Sequence, residues 1–404
     1  MISLDDSQRA ALELAMHEPI CIITGGPGTG KTTIIRALLD ALDTNAVALC
    51  APTGKAAKRM SEATGRESMT IHRLLGFQPQ DDSKVDEALS GRFAHNDHNP
   101  LPHAVVIVDE ASMVDVELFA CLLDAIAPTR TRLVLVGDAN QLPSVGPGAI
   151  LEDLVRSELV PTAKLTSVHR SAQGSWMNSA APKLLAGEAI EIEQRDDFRF
   201  SHAEEATDVA RKCGDILEHV PGAQVLVPQK TGHAGAEAIN IALQQRFNPL
   251  RANQVQWGDV KNNRTIREGD RVIQTRNAYD LDGGAGVFNG EVGTVTMLDN
   301  KAMHVQYPDR STPVLYSRSD ARALKLAYAL TIHKSQGSEW PWVIVVAHST
   351  HTFMLTRRLL YTAITRGKQG VAIVGNRKGI DAATNNTKDA QRNTALIDRI
   401  QGTL

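Results

Sequence analysis

Aromatic residues are scarce, at 4% of 404 positions, so an extended ligand held by this chain need not be stacked on a ring at every step. There are four cysteines, Cys21, Cys50, Cys121 and Cys213. They lie far apart, three of them in apolar runs, and none forms a C-x-x-C pair. Buried free thiols in a reducing cytosol are therefore expected. No apolar stretch approaches the roughly 20 residues that span a bilayer, and no basic segment followed by an apolar core opens the chain, so neither a membrane nor a secretory route is expected. The expected location is the cytoplasm, or a host's cytoplasm for a phage-encoded chain. Charge of one sign is also lacking. The net charge of −3 excludes a globally basic surface, and any path for a polyanion must be a local groove. Repeats and low-complexity tracts are absent.

What is present is an ordinary globular composition, 42% hydrophobic and 22% charged, with length enough for two to four domains. In the first half, Ile20–Thr24, Ala46–Ala51, Ala104–Val108 and Leu133–Val136 read as buried strands between helical stretches, the pattern of a parallel α/β sheet. A polar stretch, 78–103, interrupts it as a loop or an inserted hairpin. A second α/β region starts near Leu165, with strands at Val225–Val227, Val343–Ala347 and Val371–Val374. Within it, 264–323 changes character. Arg271–Thr275, Gly293–Leu298 and Met303–Tyr307 are short strands between glycine-rich turns, a small antiparallel β insertion.

The run Gly25-Gly26-Pro27-Gly28-Thr29-Gly30-Lys31-Thr32 fits G-x-x-x-x-G-K-[ST], with a strand before it and a helix after. Backbone N–H groups of such a loop wrap a phosphate, and the helix N-terminus favours the negative charge. Lys31 then reaches the β- and γ-phosphates, and the Thr32 hydroxyl holds Mg²⁺. Asp109-Glu110 ends another buried strand. Asp109 suits the second Mg²⁺ contact, and Glu110 suits orienting and deprotonating the attacking water. These two motifs define an ATPase or GTPase and no narrower class.

The remaining motifs narrow it. In Leu4-Asp5-Asp6-Ser7-Gln8, in Ala51-Pro52-Thr53-Gly54-Lys55-Ala56-Ala57 and in Thr70-Ile71-His72-Arg73-Leu74-Leu75, the chain resembles superfamily-1 helicases, most closely the RecD-type and Dda-type branch. Asp109-Glu110-Ala111-Ser112, Gly137-Asp138 through Asn140-Gln141-Leu142-Pro143, Leu165 to Arg170, Thr331 through Glu339 and Tyr361 to Arg366 continue the family's motifs in order. The resemblance implies two RecA-like P-loop NTPase lobes, 1–160 and 161–404, with a pin insertion (1B) at 78–103 and an SH3-like β-barrel insertion (2B) at 264–323. It implies that Gln8 reads adenine, and that Gly25, Gly26, Pro27, Gly28, Thr29, Gly30, Thr33 and Glu339 join Lys31 and Thr32 around ATP. Gln141 is then the γ-phosphate sensor, and Arg170 and Arg366 are cationic fingers acting when a cleft between the lobes closes. Pro52, Thr53, Lys55 and His72 form one strand-binding patch, and Thr331, His333 and Ser335 a second. Phe77 or Phe93 is a candidate wedge at the pin, with loop packing as the alternative. The implied activity is ATP- and Mg²⁺-dependent 5′→3′ unwinding of DNA at single-strand/duplex junctions, with replication or recombination proteins as partners. Two rivals stand beside it, a protein-displacing translocase without processive unwinding and a nucleotide-switched binding or assembly protein.

Overall fold

Apolar runs such as Ala104–Val108 lack polar alternation, and a strand of that kind needs cover on both faces. The structure, a computed structural model, describes residues 4–42, 46–78, 92–167, 174–259, 261, 264–388, 392 and 394–402. Its first six strands, β1 (Ile20–Gly25), β2 (Val47–Ala51), β3 (Ser68–Thr70), β4 (Val105–Val108), β5 (Arg132–Gly137) and β6 (Thr162–Leu165), form one parallel sheet in the order β3-β2-β4-β5-β1-β6. Successive residues point to opposite faces. Cys21, Ile23, Val134 and Val136 pack in one core with residues of helices α1 (Asp6–His17), α2 (Lys31–Ala41) and α3 (Gly54–Thr64). Ile22, Val106, Leu133 and Leu135 pack in the other with α4 (Ile71–Leu74), α5 (Val116–Asp124) and α6 (Ile150–Ser157). All four cysteines are buried and free.

The second half repeats the plan with an interruption. After α7 (Trp176–Ala186), β7 (Phe198–His202), α8 (Val209–His219), β8 (Gln224–Val227) and α9 (Ala236–Phe247), the chain leaves the parallel sheet. It runs through β9 (Gln256–Asp259), β10 (Arg264–Arg267), β11 (Arg271–Gln274), β12 (Val292–Leu298), β13 (Met303–Gln306), β14 (Val314–Tyr316) and β15 (Leu324–Leu326). It returns with β16 (Ala329–Thr331), β17 (Trp340–Ala347), α10 (Arg357–Ile364), β18 (Gly367–Gly375) and α11 (Arg377–Asn385). The parallel sheet is ordered β16-β8-β17-β18-β7. The excursion makes an antiparallel sheet, β14-β13-β12-β11-β15, and a β9–β10 hairpin. The chain divides into two compact units, Met1–Ala172 with Asp389–Leu404, and Gln173–Lys388. Sequence reading leaves the tail in the second lobe. In the structure α12 (Leu396–Ile400) packs Leu396 and Ile400 on the α5/α6 core of the first unit, because its few apolar residues find their cover there. No helix among the described residues is long and apolar enough to cross a membrane.

A single carboxylate ties the excursion to the second parallel sheet. Asp270 is fully buried and accepts hydrogen bonds from Gln244 Nε2 (2.5 Å), Asn248 Nδ2 (2.8 Å), the Arg267 N–H (2.8 Å) and the Tyr328 hydroxyl (3.0 Å). Its partners come from α9, from the chain after it, from β10 and from the β15–β16 link. A buried acceptor with four donors is costly to remove, because each stranded donor keeps its desolvation penalty. Asp270→Ala is expected to cost about 3–5 kcal/mol, with Asp270→Asn less damaging. Thermal unfolding of the full chain, followed by calorimetry, measures the loss.

Candidate active site at the edge of the first sheet

All six strands of the first sheet run the same way, so their C-terminal ends deliver their loops to one edge. At β1 this is the phosphate loop. Gly28 and Gly30 take positive φ, 74° and 86°, and α2 begins at Lys31 with no side chain capping its N-terminus. The N–H groups of that first turn are thus left for an anion. Lys31 Nζ donates to the Gly25 and Gly26 carbonyls at 2.6 and 2.9 Å, and the Thr29 hydroxyl donates to Gly26 O at 2.9 Å. Gln8 lies against the loop. Its Oε1 accepts from the Asp5 N–H (3.1 Å) while its Nε2 donates to Thr29 O (3.3 Å). One amide hydrogen is then left over for a base. A side chain at Gly30 would collide with that amide. Thr32 and Thr33 follow on the first turn of α2.

The carboxylates come from β4. The Asp109 N–H bonds to Cys50 O at 2.9 Å, and its Oδ1 accepts from the Glu110 N–H at 2.9 Å. Burial, and then the neighbouring Glu110, push the Asp109 carboxyl up to about 6, against the pull of the Glu110 N–H and of Lys31. A buried strand-end carboxylate, on the same edge as the Thr32 hydroxyl, offers the oxygen donors a hard divalent cation takes. Among the described residues no group of three or more His, Cys, Asp or Glu could hold a metal, so such an ion would draw its other ligands from phosphate and water. Glu110 itself has a left-handed backbone, φ 53° and ψ 38°, a conformation costing a glutamate about 1–3 kcal/mol. The next strand end, at β5, places Asp138 and Gln141. Asp138 Oδ2 accepts from Gln141 Nε2 (3.1 Å), and the Ala139 N–H bonds back to Thr24 on β1 (3.3 Å). Gly137 permits this crowding. A Cβ there would sit 2.8 Å from Leu151 and 3.2 Å from the Ala111 N–H.

The strand-patch candidates are placed less uniformly. Thr53 caps α3 by accepting from the Ala56 N–H (3.2 Å), between Pro52 and Lys55. His72 lies in an aromatic cluster, 5.7 Å from Phe77 and 6.0 Å from Phe93. Burial lowers its pKa, partly countered by Asp115, so it offers a ring N–H and no charge at neutral pH. Phe93 is in the core and Phe77 packs against it. This contact favours the packing alternative over a wedge for both rings. Positions 79–91, most of the candidate pin, lie outside the described residues, as does Arg170. In the second unit Thr331 ends β16 and His333 is exposed, whereas Ser335 is fully buried and donates to Ile332 O (2.7 Å). Its side chain supports the turn. Glu339 pairs with Lys368 (3.4 Å). Arg366, only 2% exposed, donates to the carbonyls of Thr362 (3.2 Å) and Ser338 (3.3 Å).

A phosphate loop, a strand-end Asp-Glu pair and an Asp-anchored glutamine on one parallel edge are the arrangement of a P-loop fold of the RecA-like class. Comparison with known proteins narrows the class. Residues 8–147 match the AAA domain family, 239–307 the ATP-dependent RecD-like DNA helicase SH3 domain, and 326–374 the UvrD-like helicase C-terminal domain. The chain is 38% identical over 98% of its length to the ATP-dependent RecD2 DNA helicase of Deinococcus radiodurans, covering 52% of that protein. It is 35% identical over 98% of its length to the RecBCD enzyme subunit RecD of Mycolicibacterium smegmatis, covering 75% of it. Its fold is similar to that of a Bacteroides Pif1 solved bound to single-stranded DNA, with TM-score 0.58 at 19% identity, covering 100% of this chain and 97% of that one. The chain belongs to the RecD family of superfamily-1 helicases, and it spans about half the length of the Deinococcus relative.

One residue at this edge escapes sequence reading altogether. Arg392 donates from Nη1 to the carbonyls of Gly146 and Gly148 and from Nη2 to that of Ser144, each at 2.7 Å. It gathers into one fork the loop that follows Gln141. Thr394 and Asp153 hydrogen-bond beside it. No local pattern marks an arginine in a polar tail as the partner of carbonyls some 250 positions earlier. Arg392→Ala is expected to speed amide exchange across 144–148 by about tenfold or more, because hydrogen bonds to a charged group contribute roughly 1.5–3 kcal/mol. Arg392→Lys should restore only part of the protection, since an ammonium lacks the planar fork. Hydrogen–deuterium exchange resolved by peptide measures both.

Proposed function

We propose that this chain is an ATP-driven motor that moves 5′→3′ along single-stranded DNA and unwinds duplex at junctions. The observation that carries this reading is the convergence of the phosphate loop, Asp109-Glu110 and Gln141 on one sheet edge. In this reading Lys31 and the loop hold the phosphates, Gln8 and Glu339 complete the nucleotide site, and Thr32 and Asp109 hold Mg²⁺. The bound ion would draw charge off the phosphates. Glu110 orients the attacking water and takes its proton, and Gln141 senses the γ-phosphate. Arg366 and Arg170 act as cations on the transition state. Pro52, Thr53, Lys55, His72, Thr331 and His333 contact the strand through hydroxyls, N–H groups and few charges, contacts that carry no sequence information. Ser335 contributes through its turn. Membership of a family whose Deinococcus relative is named an ATP-dependent DNA helicase supports the reaction. The match of 239–307 to a RecD-like SH3 domain supports the polarity, as that barrel marks the 5′→3′ branch the sequence resembles. The packing of Phe93 in the core, with the half-buried Phe77 against it, favours a second reading, translocation that strips bound proteins without processive unwinding.

The deciding experiment measures ATP turnover with and without oligo(dT), and strand displacement from duplexes with 5′ or 3′ tails. Strand-stimulated turnover with displacement only from 5′ tails is expected. Displacement only from 3′ tails overturns the polarity, and turnover indifferent to DNA overturns the motor. Lys31→Ala should nearly abolish hydrolysis. Glu110→Gln should still bind nucleotide in a filter or fluorescence assay while turnover falls by about 10²–10⁴-fold. Arg366→Ala should lower kcat far more than it raises KM, because a cation acting in the transition state adds little to ground-state binding. Equal changes in the two constants would reduce Arg366 to a packing residue.

A further inference from the structure

The second unit holds a cavity of about 500 Å³, lined by none of the nucleotide-site candidates. Its size falls within the range of about 300–1,000 Å³ typical of ligand sites. The floor is aliphatic, formed by Ile241 on α9, Ile266 on β10, Ile273 on β11, Leu326 on β15 and Leu330 on β16. No aromatic ring lines it among the described residues. The rim is cationic. Lys230 and Arg264 share one carboxylate, Glu237, at 3.3 and 2.9 Å. Lys325 and Lys334 stand at the same rim with no carboxylate partner among the described residues. Desolvation lowers the Lys334 pKa first, and the ammonium groups of Lys325 and Lys230 lower it further. Three lysines therefore repel one another around an apolar hollow.

The borders of the hollow are sheet edges. Among the described residues β15 is the last strand of the antiparallel sheet, β16 the last of the parallel sheet, and β10 pairs with β9 alone. Such edges template an added backbone. The one amide inside, on Asn240, is already used. Its Nδ2 donates to Ala236 O and Ala329 O, and its Oδ1 accepts from the Ala329 N–H. A nucleobase would find neither a ring to stack on nor that amide to read its edge, which disfavours a nucleotide of the strand despite Thr331 in the lining.

We infer that this cavity docks an acidic, apolar-bearing peptide segment of a partner protein, its aliphatic or aromatic side chains on the floor and its carboxylates on Lys325 and Lys334. The inference does not require the motor reading, though it shares Thr331 with the strand contacts proposed there. It gives the chain a way to be recruited by an acidic protein.

The test uses the full chain and a fluorescein-labelled octapeptide alternating aspartate and leucine, followed by anisotropy. Micromolar binding is expected, with none for the lysine–leucine counterpart. Lys325→Glu should weaken the peptide about tenfold or more, since a like charge at a rim repels. Lys230→Ala serves as a milder second variant, expected to weaken it less. Far-ultraviolet dichroism checks the fold of each. Oligo(dT) at saturation should leave the peptide bound, and strand-stimulated ATP turnover of Lys325→Glu should match the parent. No binding below about millimolar, or binding indifferent to Lys325→Glu, overturns the site. Displacement by oligo(dT), or a parallel loss of oligo(dT) affinity in Lys325→Glu, assigns the cavity to the strand and also overturns it. A chain inactive on ATP that still binds the peptide would sink the motor reading alone.

Discussion

Parallel pairing in the first sheet is the constraint on which the chemistry rests. Hydrogen bonds between β1, β4 and β5 fix their register, with Ile23 beside Val136 and Val108 beside Leu135. The loops that leave them must emerge side by side. The lysine, the carboxylates and the glutamine are separated by up to 110 positions in sequence, yet each follows a strand end by one to six residues. Two apolar cores press on the sheet from either face, and the rigidity they confer is what a charged site needs if its groups are to stay in place without reorganising.

Within that frame the edge satisfies its polar groups from its own loops. Lys31 rests on two carbonyls of its own loop, and Gln8 bridges α1 to the loop through a capping box. Asp109 holds a raised carboxyl, and Glu110 is aimed by a backbone few glutamates adopt. A phosphate with its cation would replace the first contacts and offset the burial of the Asp109 carboxylate. The strain at Glu110 would persist, which is the pattern expected where a side chain's direction matters more than its stability. Asp270 plays the opposite part in the second unit, where four short donors hold a carboxylate for structure alone.

The sequence made legible what repeats locally. Apolar runs showed the central strands, and Gly25–Thr32 and Asp109-Glu110 showed the phosphate chemistry, because each motif is contiguous and its physical purpose is fixed by residue type. Short edge strands were not legible: β3, β6 and β16 have three or four residues, and β3 and β6 carry too few buried positions to show a period. Side-chain burial was equally hidden. Ser335 and Arg366 sit in motifs that suggest contact with a ligand, and only the packed turn around each shows that the first is enclosed and the second stowed against backbone carbonyls. Arg392 and the lysine-rimmed cavity are products of long-range contact, assembled from segments that carry no signature of their own.

The burial of the four cysteines has a practical consequence. Desolvation pushes the Cys21 thiol up to about 12 and raises those of Cys50, Cys121 and Cys213 as well. Thiolate, the species that reacts with maleimides, is therefore scarce at every native position. Val145, at the tip of the loop that Arg392 gathers, is 84% exposed. A cysteine placed there meets a dye in a chain whose other thiols are shielded, so a single fluorophore can watch that loop as nucleotide is added without first stripping the protein of sulfur.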